Sequence, residues 1–230
     1  MQDRIHIDPL GGIVVKGMPF TLSCDNILPA KYMRYSTDGT EPTIASSKMQ
    51  AENMITPVSN VRLRIKTFFV NDSSDKTLAA EFTLGKPLTP KPKPGEAIKG
   101  AWNYTCYRSA ATREVMKSGK TSDTVDLNQL DSNSYFCRIS GYLETEQKGY
   151  YTFLMVGEPG TKLFIGDQLL MEIAPGTDYQ SWLVPLEKGF YPIRYEYSHP
   201  KGGKNFEFYY MLPGAQDNGP VPASLMYYVK

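Results

Sequence analysis

Few side chains in this chain are arranged to do covalent chemistry. Cleaving a glycosidic bond needs two carboxylates roughly 5 to 10 Å apart across the scissile bond, and Asp38 with Glu41 is the tempting pair. The same stretch, Tyr35-Ser36-Thr37-Asp38-Gly39-Thr40-Glu41-Pro42-Thr43, has a simpler explanation. Asp tolerates a left-handed backbone and caps its own turn, and Gly accepts positive φ, so Asp-Gly marks a tight reversal. A Ser or Cys nucleophile needs a basic partner. The only histidines are His6, in a terminal strand pattern, and His199, in a hairpin-loop pattern beside Gly202-Gly203. There is no Gly-x-Ser-x-Gly elbow and no Gly-rich loop of the kind that cradles phosphate. No catalytic residue is expected, and no cofactor.

Binding chemistry is better represented. Aromatic rings make sugar platforms, because a flat π face packs against the C–H face of a pyranose. Tyr107, Tyr179 and Trp182 lie near loops. Trp182 shares a face with Val184 and Leu186 and reads as core, and Trp102 reads as packed beneath a sheet. Tyr179 follows Pro175-Gly176-Thr177-Asp178 and is the stronger candidate. With Glu158 and Asp167 in neighbouring turns, Glu158, Asp167, Asp178 and Tyr179 form the expected ligand-binding set. The three cysteines, Cys24, Cys106 and Cys137, are widely spaced and odd in number, without a zinc pattern. Cys106 and Cys137 sit on strand-like alternation, where buried free thiols are the expected state and a disulfide the alternative.

These side chains must be held by β-structure. Period-two alternation runs through Phe20-Leu22-Cys24, Val61-Leu63-Ile65-Thr67-Phe69 and Leu78-Ala80-Phe82-Leu84. It returns in Tyr135-Cys137-Ile139, Tyr191-Ile193-Tyr195-Tyr197 and Phe206-Phe208-Tyr210. Half-buried antiparallel strands give this pattern, and Gly-rich reversals between such runs read as hairpins. Residues Ala110 to Gln129 are weakly patterned and read as a long loop with one helical turn near Glu114. Residues Gly85 to Ala97 carry Pro87, Pro90, Pro92 and Pro94, which favour an extended spacer. The expected fold is therefore all-β, with two β-sandwich modules: residues 1–86 and 98–230, joined by a Pro/Lys-rich linker at 87–97.

Composition removes some partners. The chain has 230 residues, 41% hydrophobic, with 16 Tyr and 10 Phe, enough for packed cores. Lys plus Arg is 25 against 24 Asp plus Glu, a net charge of +1, so no electrostatic footprint for nucleic acid or an anionic membrane is present. No run reaches the roughly 18 apolar residues of a membrane span. Asn71-Asp72-Ser73 and Asn103-Tyr104-Thr105 match the N-glycosylation triplet.

Two resemblances extend this reading. The string Tyr35 to Thr43 with Ser46-Ser47, and the basic strand ending Lys66-Thr67-Phe68, resemble the chitobiase/β-hexosaminidase C-terminal domain over roughly Ile13 to Leu84. That family implies an Ig-like, non-catalytic sandwich. Gly149 to Leu170, with turns at Gly157-Glu158-Pro159-Gly160 and Gly166-Asp167, resembles the centre of a PA14 domain. Gly100-Ala101-Trp102 is similar to its opening strand, Phe136 to Tyr142 with Gly149 to Phe153 to its central hairpin, and Lys188 to Tyr197 to its late strand. Val221 to Leu225 is similar to the tail that follows. Sugar-binding PA14 adhesins hold Ca²⁺ with adjacent aspartates in the loop that Gly157 to Gly160 matches here. One carboxylate and a proline stand in place of that pair, so an ordinary turn is expected, with calcium as the alternative.

The resemblances imply a non-catalytic, carbohydrate-binding accessory region of an exported glycan-degrading enzyme or system, its partners a glycan and an attached or associated catalytic domain. The alternatives are a spacer or protein-docking module without sugar affinity, and a glycoside hydrolase. Met1-Gln2-Asp3-Arg4 lacks the apolar region of a signal peptide. An excised piece of a longer exported protein is expected, located outside the cell, in the periplasm or at the cell surface.

Overall fold

The computed structural model describes residues 6–25, 32–69, 72–73, 77–122, 135–200, 206–215 and 217–230. The triplet at Asn71, the end of the expected loop at 123–129 and the Lys201 to Lys204 turn fall at least partly outside them. The chain divides into two compact units, Met1–Pro87 with Trp182–Pro185, and Leu88–Ser181 with Leu186–Lys230.

The first unit carries β1 (His6–Asp8), β2 (Gly11–Val15), β3 (Phe20–Asp25), β4 (Met33–Ser36), β5 (Ser47–Lys48), β6 (Glu52–Ile55), β7 (Val61–Phe69), β8 (Asp72–Ser73) and β9 (Leu78–Gly85). One sheet runs β1-β3-β6. The other runs β2-β9-β7-β4-β5. Phe20, Leu22, Cys24, Leu63, Ile65, Ala80 and Phe82 are buried, as the alternation requires. Phe20 meets Phe82 across the two sheets at 4.8 Å between ring centres. The Asp-Gly turn forms between β4 and β5: Gly39 has φ +87°, and Asp38 Oδ1 accepts from the Thr40 amide at 3.0 Å and its hydroxyl at 2.6 Å. Glu41 Oε1 accepts from Lys66 Nζ at 2.8 Å and from Thr77 Oγ1 at 2.7 Å. These bonds hold both carboxyls below their ordinary range, the Thr40 hydroxyl acting most on Asp38 and the Lys66 ammonium on Glu41. Both side chains are bound up in holding the turn and strand β7.

The second unit carries β10 (Ile98–Lys99), β11 (Trp102–Tyr107), β12 (Val115–Thr121), β13 (Tyr135–Thr145), β14 (Gly149–Val156), β15 (Lys162–Ile165), β16 (Gln168–Glu172), the two ends of β17 (Tyr179–Leu186), β18 (Gly189–His199), β19 (Glu207–Met211), β20 (Gly219–Pro220), a 3₁₀ turn (Ala223–Leu225) and β21 (Met226–Tyr228). One sheet orders β10-β21-β13-β18-β15-β16, with β11 beside β13 and β12 beside β11; β20-β19-β14-β17 lies in another. Tyr195 and Tyr197 of β18 project from the first sheet onto Phe206 and Phe208. Ring centres are 4.4 Å apart for Tyr195–Phe208 and 5.5 Å for Tyr197–Phe206. This aromatic layer is the core. Residues Leu88 to Lys93 of the proline-rich stretch run along the start of β18. Lys91 N donates to Phe190 O at 2.8 Å, and the buried Tyr191 hydroxyl donates to Leu88 O at 2.9 Å.

Three expectations are corrected here. Residues Val115–Thr121 form strand β12, paired with β11, instead of a loop with a helical turn. Their irregular polarity reflects a strand with little burial on either face. The Phe136 to Phe153 segment is not a hairpin: β13 and β14 lie in different sheets, as do β14 and β15, β17 and β18, and β18 and β19. A reversal that crosses between facing sheets carries the same Gly-rich signature as one joining neighbours. Cys106 and Cys137 are joined in a disulfide, and they face each other directly in the β11–β13 register. Cys24 is the buried free thiol.

The tyrosine layer leads to two expected results. Burial pushes the hydroxyls of Tyr135 and Tyr191 up to about 12, and those of Tyr195 and Tyr197 well up also. A folded-state pKa raised above the unfolded value of about 10 contributes stability that is complete below pH 10 and lost as pH rises toward 12. The second unit should therefore unfold in that window. Tyrosinate absorbance and loss of far-UV dichroism should rise together; tyrosines ionising with the fold intact would refute this. Second, Tyr195 Oη is buried without a hydrogen-bond partner among the described residues. Removing an unsatisfied buried hydroxyl recovers its desolvation cost, so Tyr195→Phe should melt at or above the parent temperature in a thermal scan.

Candidate functional site

The outer face of the β13–β18 sheet holds a recess, a cavity of about 330 Å³ lined by Tyr107, Phe136, Arg138, Lys162, Glu196 and Ser198 together with Ala110, Arg113 and Gly160. Strand alternation builds it. Cys106, Tyr135, Cys137, Tyr195, Tyr197 and Leu163 turn inward and are buried. Their neighbours Tyr107, Phe136, Arg138, Glu196 and Lys162 are forced outward.

Register then sets these outward side chains in two adjacent rows. Tyr107 lies opposite Phe136, and Phe136 opposite Ser198. In the next row Arg138 lies opposite Glu196, and Glu196 opposite Lys162. The rings of Tyr107 and Phe136 stack with centres 6.1 Å apart and planes 28° apart, forming one flat aromatic wall. The disulfide immediately precedes Tyr107 and follows Phe136 in sequence, so it ties together the backbones that carry the wall.

The polar row has its own order. Arg138 Nη2 donates to Glu196 Oε1 at 3.0 Å, and Arg194 Nη1 donates to the same oxygen. Arg138 Nε is buried with no hydrogen-bond partner among the described residues. Arg194 stacks on Phe164, 3.7 Å from the ring centre. Lys162 reaches Glu172 at 3.7 Å. The rim is a structured turn between β11 and β12. Arg108 pairs with Glu114 at 2.9 Å, the Thr112 amide donates to Ser109 Oγ at 3.1 Å, and Arg113 adopts φ +50°. That conformation is uncommon for a residue with a Cβ, and it places Arg113 at the cavity.

Of the residues expected from sequence, Glu158, Asp178 and Tyr179 come to one end of the unit. Gly157 N donates to Asp178 O at 2.9 Å and Gly160 N to Ile173 O at 2.8 Å, folding the two loops together. Gly160 in the Glu158 loop edges the cavity. Asp167 is at the tip of the β15–β16 hairpin, where Gly166 N donates to Pro192 O at 2.7 Å. The full length of β15 separates it from the other three. Trp182 is half-buried on β17 and Trp102 is buried. His199 ends β18, stacked on Tyr135 at 4.6 Å and bonded through Nδ1 to the Tyr197 hydroxyl.

The Glu158 loop does not fit a calcium ion. Ca²⁺ takes six to eight oxygen ligands, and Glu158 is the loop's only carboxylate. The Glu158 carbonyl is engaged by the Thr161 amide at 3.2 Å and hydroxyl at 2.7 Å. Among the described residues no three His, Cys, Asp or Glu gather as a metal site.

The second unit is thus a β-sandwich module with a surface recess on one sheet. Residues 102–224, more than half of the chain, match the PA14 domain, and the chain belongs to that family. No curated protein matches it. Among solved structures, the Epithelial Adhesin 9 A domain from Candida glabrata, in complex with Galβ1-3GlcNAc, is 13% identical and superposes over 63% of this chain and 95% of its own, with a TM-score of 0.51. The subtype-switched Epithelial Adhesin 9 to 1 A domain from the same organism, in complex with β-lactose, gives 12%, 63%, 94% and 0.52. An anti-sigma factor domain-containing protein is 14% identical over 93% of this chain and 80% of its own, with a TM-score of 0.50. At these identities the likeness is one of fold.

The cavity residues Phe136, Arg138, Lys162 and Glu196 were not marked as a site by sequence. Their signal is present only as the polar or outward half of an alternating strand, which every half-buried strand possesses. Tyr107 alone stood out, by its position beside a loop.

Proposed function

We propose that the chain is a non-catalytic glycan-binding module and that the cavity on the β13–β18 sheet is its binding site. The observation that carries this is the pairing of a flat Tyr107–Phe136 wall with a row of hydrogen-bonding groups in one open recess. Binding cavities begin at about 300 Å³ and combine apolar walls with a few placed polar groups. The site stands on strands and a disulfide, so little ordering is needed when a ligand enters. The adhesin structures that share the fold hold β-galactosides, which supports a sugar as the ligand class. The Glu158 loop reaches the cavity through Gly160 and is bonded to the loop of Asp178 and Tyr179, so these side chains would contact sugar residues further along a chain. Asp167 would stand apart from them.

The first unit, through its resemblance to the chitobiase/β-hexosaminidase C-terminal domain, supports a place in an exported glycan-degrading system. There the module would raise the local concentration of substrate by tethering, without chemistry of its own. The Cys106–Cys137 disulfide supports an oxidising location: outside the cell, in the periplasm or at the surface.

The test is binding of the intact chain to a broad glycan panel, with calcium and with chelator, beside Tyr107→Ala and Phe136→Ala. Binding is expected to survive chelation and to weaken at least about tenfold in each variant, the scale of a lost aromatic contact. Unchanged binding in both variants would move the site elsewhere. Silence across the panel would favour a spacer or docking role.

A further inference from the structure

We infer that the cavity selects a sugar bearing a carboxylate, that is a uronic acid residue, rather than a neutral sugar; this rests on the glycan-binding reading above. The charge around the recess carries the inference. Arg113, Arg138 and Lys162 line it, and Arg194 stands beside it. The carboxylates bonded to these groups are Glu196 and Glu172. Of the residues that line the recess itself, three are cations and one, Glu196, is a carboxylate, in a chain whose overall net charge is only +1.

The two carboxylates are also already in use. Glu196 Oε1 takes both Arg138 and Arg194, and Glu172 faces Lys162 across 3.7 Å, a loose and partly exposed pair worth little by itself. Arg113 has no ion-pair partner among the described residues, although its backbone holds the uncommon left-handed conformation. Arg138 presents a partly exposed guanidinium with one edge on Glu196.

A neutral hydroxyl would meet these donors only as a weak acceptor. A carboxylate would take charge-assisted bonds from them, roughly twice as strong, with the planar geometry that a guanidinium fork prefers. The aromatic wall lies one row away from Arg138 and Lys162 on the same sheet face. Adjacent rows on one face are two residues apart along a strand, about 7 Å, close to the span from a pyranose ring to its C5 carboxylate partner. The ring would lie on Tyr107 and Phe136 and the carboxylate on Arg138, Arg113 and Lys162.

Titration calorimetry of the intact chain with trigalacturonic acid and with a glucuronate-terminated oligosaccharide is the test, each beside its methyl ester and its neutral, reduced counterpart. A sulfated neutral oligosaccharide is the further arm. The free acids are expected to bind at least about tenfold more tightly than the esters, and to weaken steadily with added salt. Arg113→Ala and Lys162→Ala, both on exposed or half-exposed positions that leave the core intact, should each remove most of that preference, weakening the free acid several-fold more than its neutral counterpart. Equal binding of acid, ester and neutral sugar would overturn the charge selection and leave the glycan-binding reading standing. Preference for the sulfated sugar over the uronates would overturn the carboxylate assignment. Absence of binding by every sugar, charged or neutral, would remove both readings at once.

Discussion

The double variant Cys106→Ser/Cys137→Ser is expected to melt on the order of 10 °C below the parent chain. The bridge joins residues 31 apart. Closing a loop of that length in the unfolded chain removes about 3 to 4 kcal/mol of conformational freedom by the loop-entropy relation, and each kcal/mol moves the midpoint of a domain this size by a few degrees. The loss should be confined to the second unit, because the first holds only Cys24. A functional loss should accompany it. The disulfide lies beside Tyr107 and Phe136, so without it the strands that carry the aromatic wall are held by ladder hydrogen bonds alone. Calorimetry of the intact chain with and without reductant measures the first effect, and sugar binding well below the midpoint measures the second. A reduced chain that melts with the oxidised one would show that the bridge contributes nothing to the fold.

The other large effect is expected at Gly141. This residue sits within β13, where a Cβ would lie 2.4 Å from Trp102 Cδ1 and 2.4 Å from Tyr227 O. Neither neighbour can retreat cheaply. Tyr227 O is backbone of β21, whose pairing with β13 aligns Tyr142 with Tyr227. Trp102 is buried, with its Nε1 donating to Tyr142 O at 2.9 Å and its ring 5.6 Å from that of Tyr195. Gly141→Val must therefore displace the indole or part the strands, and overpacking costs about 1 to 3 kcal/mol, the upper end being expected where backbone must move. Gly141→Ala should fall in the same direction by a smaller amount. Thermal melts with near-UV dichroism of the aromatic layer will report it. A Gly141→Val variant as stable as the parent would mean that Trp102 has room the packing does not show.

Gly141 also illustrates what a sequence conceals. It interrupts an apolar alternation and reads as a weak spot in a strand, when its role is to admit a tryptophan from β11, nearly forty positions earlier. Arg138 and Phe136 were equally visible as the outward half of β13. Their meaning depends on Glu196, Lys162 and Tyr107, which arrive from other strands. The Glu158 loop stood out because turn residues are a local signal, whereas the cavity beside it is a product of register between distant strands. The supposed hairpins failed for a related reason. Short-range turn chemistry specifies that the chain reverses, but whether it returns to its own sheet or crosses to the facing one depends on which apolar faces must be buried together.

By itself, the amino-acid sequence determined most of the β-strands with their inward and outward residues, the Asp38-Gly39 turn and the PA14 resemblance. All of these rest on side-chain periodicity, backbone preference or residue order over short spans. Only the tertiary structure decided the Cys106–Cys137 bridge, the allocation of strands to sheets, and the union of Tyr107, Phe136, Arg138, Lys162 and Glu196 in one recess. Each of these is a pairing between strands far apart in the chain, set by the burial of a shared core.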